Sequence, residues 1–197
     1  MKRIILAAAV AAVTTQVTAA DVGIGLSVQS NDAWIYVPVD INPKLRLEPS
    51  LRFIDAESKS RVEDSDFGFP VTTTVKSDGR TYELALGIFG LVPIAESARI
   101  YYGGRIAYID SESEIRIHQQ FGNFEDESVQ NTSSDGYRLS PTLGFEYLFN
   151  EHFSIGGEAE WFYQDVDSTR DQTDVATIEG SSKSTGTDTR LIVRFRF

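Results

Sequence analysis

Hydrophobic and polar residues alternate with a period of two along most of this chain. That is the period of a strand whose two faces meet different surroundings. Val22, Ile24, Leu26 and Val28 alternate with Gly23, Gly25 and Ser27, and Ile35, Val37, Val39 and Ile41 with Trp34, Tyr36, Pro38 and Asp40. The same alternation runs through 45–53, 81–92, 99–109, 136–148, 153–164 and 189–197. With 21–29 and 34–41 it predicts eight strands.

The connections fall into two classes. Residues 42–44, 93–98 and 149–152 are short, and Asn42-Pro43 and Asn150 are turn formers. Residues 54–80, 110–135 and 165–188 are long and polar, whereas the link around 30–32 is short. Short turns at one end and long connections at the other predict an all-β, up-and-down antiparallel barrel crossing a membrane, with both termini at the short-turn end. Alternating pieces such as Glu114-Ile115-Arg116-Ile117 and 71–75 suggest that strands continue into the long connections.

The first twenty residues do not fit this pattern. Met1-Lys2-Arg3 precedes ten apolar residues (4–13) and a polar stretch ending in Ala19-Ala20, the order of a secretory signal peptide. Ten residues span ~15 Å as a helix, against a hydrocarbon core of ~30 Å. The expected domains are therefore a signal peptide at 1–20 and a barrel at 21–197.

Composition narrows the chemistry. A net charge of −11 argues against nucleic acid as a partner. The absence of Cys removes disulfides, thiolate metal sites and cysteine nucleophiles, and only His118 and His152 could supply imidazole. No cofactor or metal centre is expected. Most of the acid lies in the long connections, which together carry a net −12.

Alternation alone does not say which face is outside, since a soluble barrel also alternates. Aromatic spacing favours a lipid-facing apolar row. Tyr137 and Tyr147 are ten residues apart on one row, as are Phe153 and Tyr163. Ten residues of tilted strand project to ~24 Å, the height of an apolar band between aromatic girdles. Tyr82, Tyr108, Tyr137 and Tyr163 would form the girdle at the long-connection end. Tyr102, Tyr147 and Phe153 would form the other.

The polar rows point the same way. They carry Arg46, Arg52, Arg105, Arg138, Arg190, Arg194 and Arg196 with Glu48, Glu83, Glu146, Glu158 and Glu160, and no Lys. Arg is the better partner for a buried carboxylate, because its planar fork satisfies two oxygens. An eight-stranded barrel has an interior just wide enough to be filled by side chains. These residues are expected to form an ion-pair network in the lumen.

The chain ends on Leu191, Val193, Phe195 and Phe197, apolar at alternating positions. With the signal peptide and eight alternating strands, the mature chain resembles the small outer-membrane β-barrels of Gram-negative bacteria, of the outer membrane protein A and X type. The resemblance implies outer-membrane lipid and lipopolysaccharide as surroundings, and assembly machinery that reads the terminal segment Leu191 to Phe197. It also implies a bacterial outer-membrane location. No peptidoglycan-binding domain follows, so that role is not implied.

Three functions compete on this scaffold. A general pore is disfavoured, because eight strands leave a filled interior. A lipid A-modifying enzyme would need a nucleophile and a base, and the local candidate is His152 and Ser154 with Glu158 or Glu160. His152 falls in a short turn, away from the outer leaflet. A structural or surface-interaction role fits the acidic connections, where Glu125-Asp126-Glu127 could attract divalent cations or a surface ligand. The expectation is a non-enzymatic monomeric membrane barrel. The alternative is a soluble exported, lipocalin-like barrel binding a small ligand.

Overall fold

The computed structural model describes residues 21–29, 32–64, 71–121, 124–172 and 177–197. The expected signal peptide at 1–20 lies outside them. Nine strand segments follow in order: β1 (Asp21–Gln29), β2 (Asp32–Tyr36), β3 (Val39–Asn42), β4 (Leu45–Asp64), β5 (Val71–Ala95), β6 (Ala98–Phe121), β7 (Phe124–Leu148), β8 (Phe153–Gln172) and β9 (Ile178–Arg196).

β2 and β3 are one wall strand interrupted at Val37-Pro38. Both pair with β1 and with β4. Proline cannot donate to a ladder, but the wall stays continuous. The Val37 N–H donates to the Pro49 carbonyl at 2.8 Å, and the Gly23 N–H donates to the Pro38 carbonyl at 2.9 Å. From β4 onward each strand pairs antiparallel with the next, and β9 returns to β1 through Gly23↔Arg196 to Val28↔Leu191. The result is the expected eight-stranded, up-and-down barrel.

The short turns fall where Asn supplies local acceptors. Asn42 Oδ1 accepts the Lys44 N–H at 2.8 Å. Asn150 Oδ1 accepts the N–H groups of His152 and Phe153 at 2.9 and 2.8 Å. At the other end the strands continue upward, as the pieces at 71–75 and 114–117 suggest, and much further than they indicate. Residues 54–64, 71–80, 110–121, 124–135, 165–172 and 178–188 are paired strand. The long connections are thus mostly β-hairpins. Periodicity catches only fragments of them, because both faces of that sheet meet water and neither needs an apolar row.

The barrel's polarity is inside out relative to a soluble one. Leu143 is 59% exposed and Leu191 53%, whereas Arg46, Glu48, Glu146 and Arg194 are completely buried. Exposed apolar residues fill the outward rows of every wall strand, Ile24, Ile35, Leu51, Ile88 and Ile106 among them. Val39 shares the outward register with Val22 and Leu47, which flank it, and is only 5% exposed.

Candidate functional site

Inward rows from seven wall strands, β2–β3 counted as one, meet along the barrel axis. At the short-turn end Arg46 (β4) places Nε 2.6 Å from Asp40 and Nη2 3.1 Å from Glu146. Arg99 (β6) joins the same two carboxylates at 3.0 and 2.7 Å, and Arg196 (β9) reaches Glu146 at 2.8 Å. The Ser154 hydroxyl also donates to Glu146, at 2.5 Å. Thus Glu146 serves four donors.

One layer up, Arg105 lies between Glu48 at 2.6 Å and Glu158 at 2.6 Å. Arg194 donates to Glu48 at 3.0 Å, and the Tyr101 hydroxyl donates to Glu158 at 3.1 Å. The upper layer holds Arg138 on Glu160 at 2.7 Å, Arg190 on the same carboxylate, and Arg52 on Glu83 at 3.0 Å. All twelve lumen residues singled out in the sequence enter this column.

Aromatic rings fill the space between the layers. Arg105 lies over Tyr36 and Phe89, with centroids at 5.1 and 5.0 Å. Arg194 lies over Tyr101 at 5.0 Å, Arg190 over Trp34 at 5.0 Å, and Arg138 over Phe162 at 4.0 Å. Glycines make room for these rings. A Cβ on Gly144 would stand 2.0 Å from the Tyr101 ring, and one on Gly87 would stand 2.4 Å from Phe89. Sequence reasoning left Asp40, Arg99, Tyr36, Phe89, Tyr101 and Phe162 out of the network. Following each inward row along its strand, whatever the residue type, would have included them.

Aromatic rings on the wall pack against one another at two levels. At the upper level Phe53 packs on Tyr82 and Tyr108 on Tyr137, at centroid distances of 5.1 and 5.7 Å. Tyr163 stands on the neighbouring strand, its hydroxyl 3.5 Å from Asp165. At the lower level Tyr147, Phe149, Phe153 and Phe195 form a run with spacings of 5.1, 5.4 and 5.2 Å. Tyr102 is not in that run. It lies four residues up β6 from Ala98, the partner of Tyr147, and its ring packs over Gly90. Strand tilt shifts levels between neighbours, which spacing within one strand does not reveal.

Above the upper aromatics the outward rows turn acidic. Asp110, Asp135 and Asp167 stand directly opposite one another on β6, β7 and β8. Glu57, Asp78 and Glu114 do the same on β4, β5 and β6. Directly opposed like charges weaken a sheet, so this face carries a concentrated negative potential. It is hollowed into a depression of about 670 Å³ that includes Asp55, Arg80, Glu112 and Asp171. Glu125, Asp126 and Glu127 lie on β7 near the tip of its hairpin with β6, opposite Gln120, Gln119 and His118. Among the described residues no three His, Asp or Glu side chains converge as a metal site.

The catalytic candidates do not meet as a triad. The Ser154 hydroxyl is bonded to Glu146 inside the lumen. The His152 ring is exposed in its turn, with Nδ1 3.2 Å from the Arg196 carbonyl. Glu158 and Glu160 are held by arginines.

No protein-family model and no curated protein matches the sequence. Among solved structures, a major outer membrane protein from Thermus thermophilus superposes with a TM-score of 0.59 at 13% identity, covering 91% of this chain and 100% of that one. Neisserial surface protein A gives 0.45 at 14% identity over 90% of this chain and 94% of its own. CarO of Acinetobacter baumannii gives 0.43 at 13% identity over 93% and 100%. With eight antiparallel strands closed in a ring, apolar outside and ionic within, the chain has the fold of an outer-membrane β-barrel.

Proposed function

We propose that the protein is a monomeric, non-enzymatic barrel of the bacterial outer membrane whose lumen is sealed and whose function lies in the acidic sheet above the lipid. One observation carries this reading: the ion-pair column runs from Asp40 and Arg196 at one end to Arg52 and Glu83 at the other without a break. A porin needs an aqueous bore, which barrels acquire at sixteen or more strands. Here the bore is occupied by guanidinium groups, carboxylates and aromatic rings.

The exterior supports a membrane setting. A belt bounded by Tyr137 and Tyr147 matches the apolar height of an outer membrane at ~24 Å. The terminal row Leu191, Val193, Phe195 and Phe197 faces outward, in reach of assembly machinery that reads such a segment. Lipopolysaccharide would surround the upper aromatics. Divalent cations are the natural counter-ions for acids standing close to its phosphates.

The test is conductance together with fractionation. Folded protein reconstituted in planar bilayers should give no stable channels of porin size. The protein should also be recovered with outer membranes, as a heat-modifiable band on unboiled gels. Large reproducible channels would defeat the sealed lumen, and a soluble periplasmic pool would defeat the membrane assignment.

A further inference from the structure

The first residue of β1 lies on a cavity of about 390 Å³ at the short-turn mouth of the barrel. Its charged lining is Asp21, Asp40, Glu96 and Arg99, three carboxylates with one guanidinium. Asp40 is nine-tenths enclosed and already served, by Arg46 at 2.6 Å and Arg99 at 3.0 Å. Arg196, opposite Gly23 on β9, is drawn to Glu146 at 2.8 Å. Asp21 and Glu96 have no cationic partner among the described residues. Asp21 also stands directly opposite Asp40 on β3, and directly opposed like charges weaken a sheet. This rim favours one more cation.

The chain can supply that cation itself. The Gly23 N–H donates to the Pro38 carbonyl at 2.9 Å, and donors on one edge of an antiparallel strand recur every second residue. The next donor along β1 is therefore the Asp21 nitrogen, on the Asp40 carbonyl opposite. On the other edge the Val22 carbonyl accepts the Phe197 N–H at 3.0 Å. The ladders thus hold β1 in place up to the nitrogen of Asp21. The segment before it ends Thr18-Ala19-Ala20, small residues that allow a signal peptide to be cut after Ala19 or after Ala20. The two products differ in where they put a charge.

We propose that export cleaves the Ala20–Asp21 bond, and that the α-ammonium so formed is a structural cation of this mouth. Hydrolysis adds the hydroxyl of water to the Ala20 carbonyl carbon and its proton to the Asp21 nitrogen. The acid formed on Ala20 then releases a proton, and the Asp21 amine gains one. One N–H of the ammonium keeps the ladder bond to Asp40, and two are left for the carboxylates of the cavity. Cleavage after Ala19 would carry the charge one residue, ~3.3 Å, beyond that rung. The mature first residue thereby extends the layer of Asp40, Arg46, Arg99 and Glu146 by one cation. This reading needs export but not a sealed lumen.

Amine reactivity tests it. Chains beginning at Asp21 and at Ala20 are refolded in detergent and treated with acetic anhydride at pH 7. Mass spectrometry of the N-terminal peptide follows acetylation, and each rate is divided by that of the same chain unfolded in urea. Nearby carboxylates hold an amine in its protonated, unreactive form, so the Asp21 chain should react roughly tenfold more slowly than the Ala20 chain. Glu96 lies in an exposed turn. Glu96→Gln should speed the Asp21 chain roughly threefold and leave the Ala20 chain unchanged, which a steric shield alone would not do. Protein recovered from cells should begin at Asp21. Equal normalised rates, no response to Glu96→Gln, or a native chain beginning elsewhere would each overturn the proposal. The refolded chains need neither export nor a bilayer, so this result and those of conductance and fractionation fail separately.

Discussion

Arg105 grips Glu158 with both terminal nitrogens, Nη1 to Oε1 at 2.6 Å and Nη2 to Oε2 at 3.0 Å, across the barrel from β6 to β8. The pair is fully enclosed, and the same guanidinium reaches Glu48 with Nη2 at 2.6 Å. Two parallel bonds in this fork geometry fix direction as well as energy. They tie together walls that do not pair with each other. Removing one partner strands a buried charge, which costs more than the pair itself contributes.

Glu158→Ala should therefore destabilise the barrel by ~3–5 kcal/mol, as for other broken buried pairs. The double variant Arg105→Met, Glu158→Leu should recover much of that loss. Urea unfolding in lipid vesicles, followed by the fluorescence of Trp34 and Trp161, reads both. A double variant as unstable as the single one would show that the pair is not the source of the cost.

Tyr101 and Gly144 make a second, steric test. They are register partners, and the ring occupies the place of the missing side chain. Gly144→Val should cost ~1–3 kcal/mol, the usual range for overpacking. Combining it with Tyr101→Ala should cost less than the sum of the two single changes, since the ring that clashes is gone. Strict additivity in the same unfolding measurement would contradict the packing described.

The outward face sets a third expectation. Leu143 stands in the apolar belt at 59% exposure, yet Leu143→Arg should destabilise by ~2–4 kcal/mol in bilayers. Ser133→Arg, on the same outward row of β7 but above the aromatics, should stay within ~0.5 kcal/mol. A soluble barrel would tolerate both.

Much of this is legible in the sequence because period-two alternation is strongest where one face meets lipid and the other a filled lumen. From Tyr137 to Tyr147 the pattern assigns every residue to its face, and Arg138 and Glu146 to the interior. The protruding strands are less legible. Glu57 to Ser60 and Ser181 to Thr187 face water on both sides, so nothing in their sequence alternates. Tyr36, Phe89 and Tyr101 are hidden for the opposite reason, since aromatic residues on a polar row read as exceptions. The glycines opposite or beside them, Gly144 and Gly87, are the signal that such rings are folded inward. Spacing misplaces Tyr102 because height in a tilted barrel depends on neighbouring strands.

The central claim is that the apolar rows face lipid and the ionic rows face the lumen. With no native Cys, single cysteines can be placed at 139, 140, 142, 143 and 145, labelled with a small fluorophore and refolded into vesicles. Lipids carrying a nitroxide quencher in their acyl chains should quench Leu139→Cys, Leu143→Cys and Phe145→Cys strongly and leave Ser140→Cys and Thr142→Cys bright. Quenching at the even positions, or at none, would contradict the account.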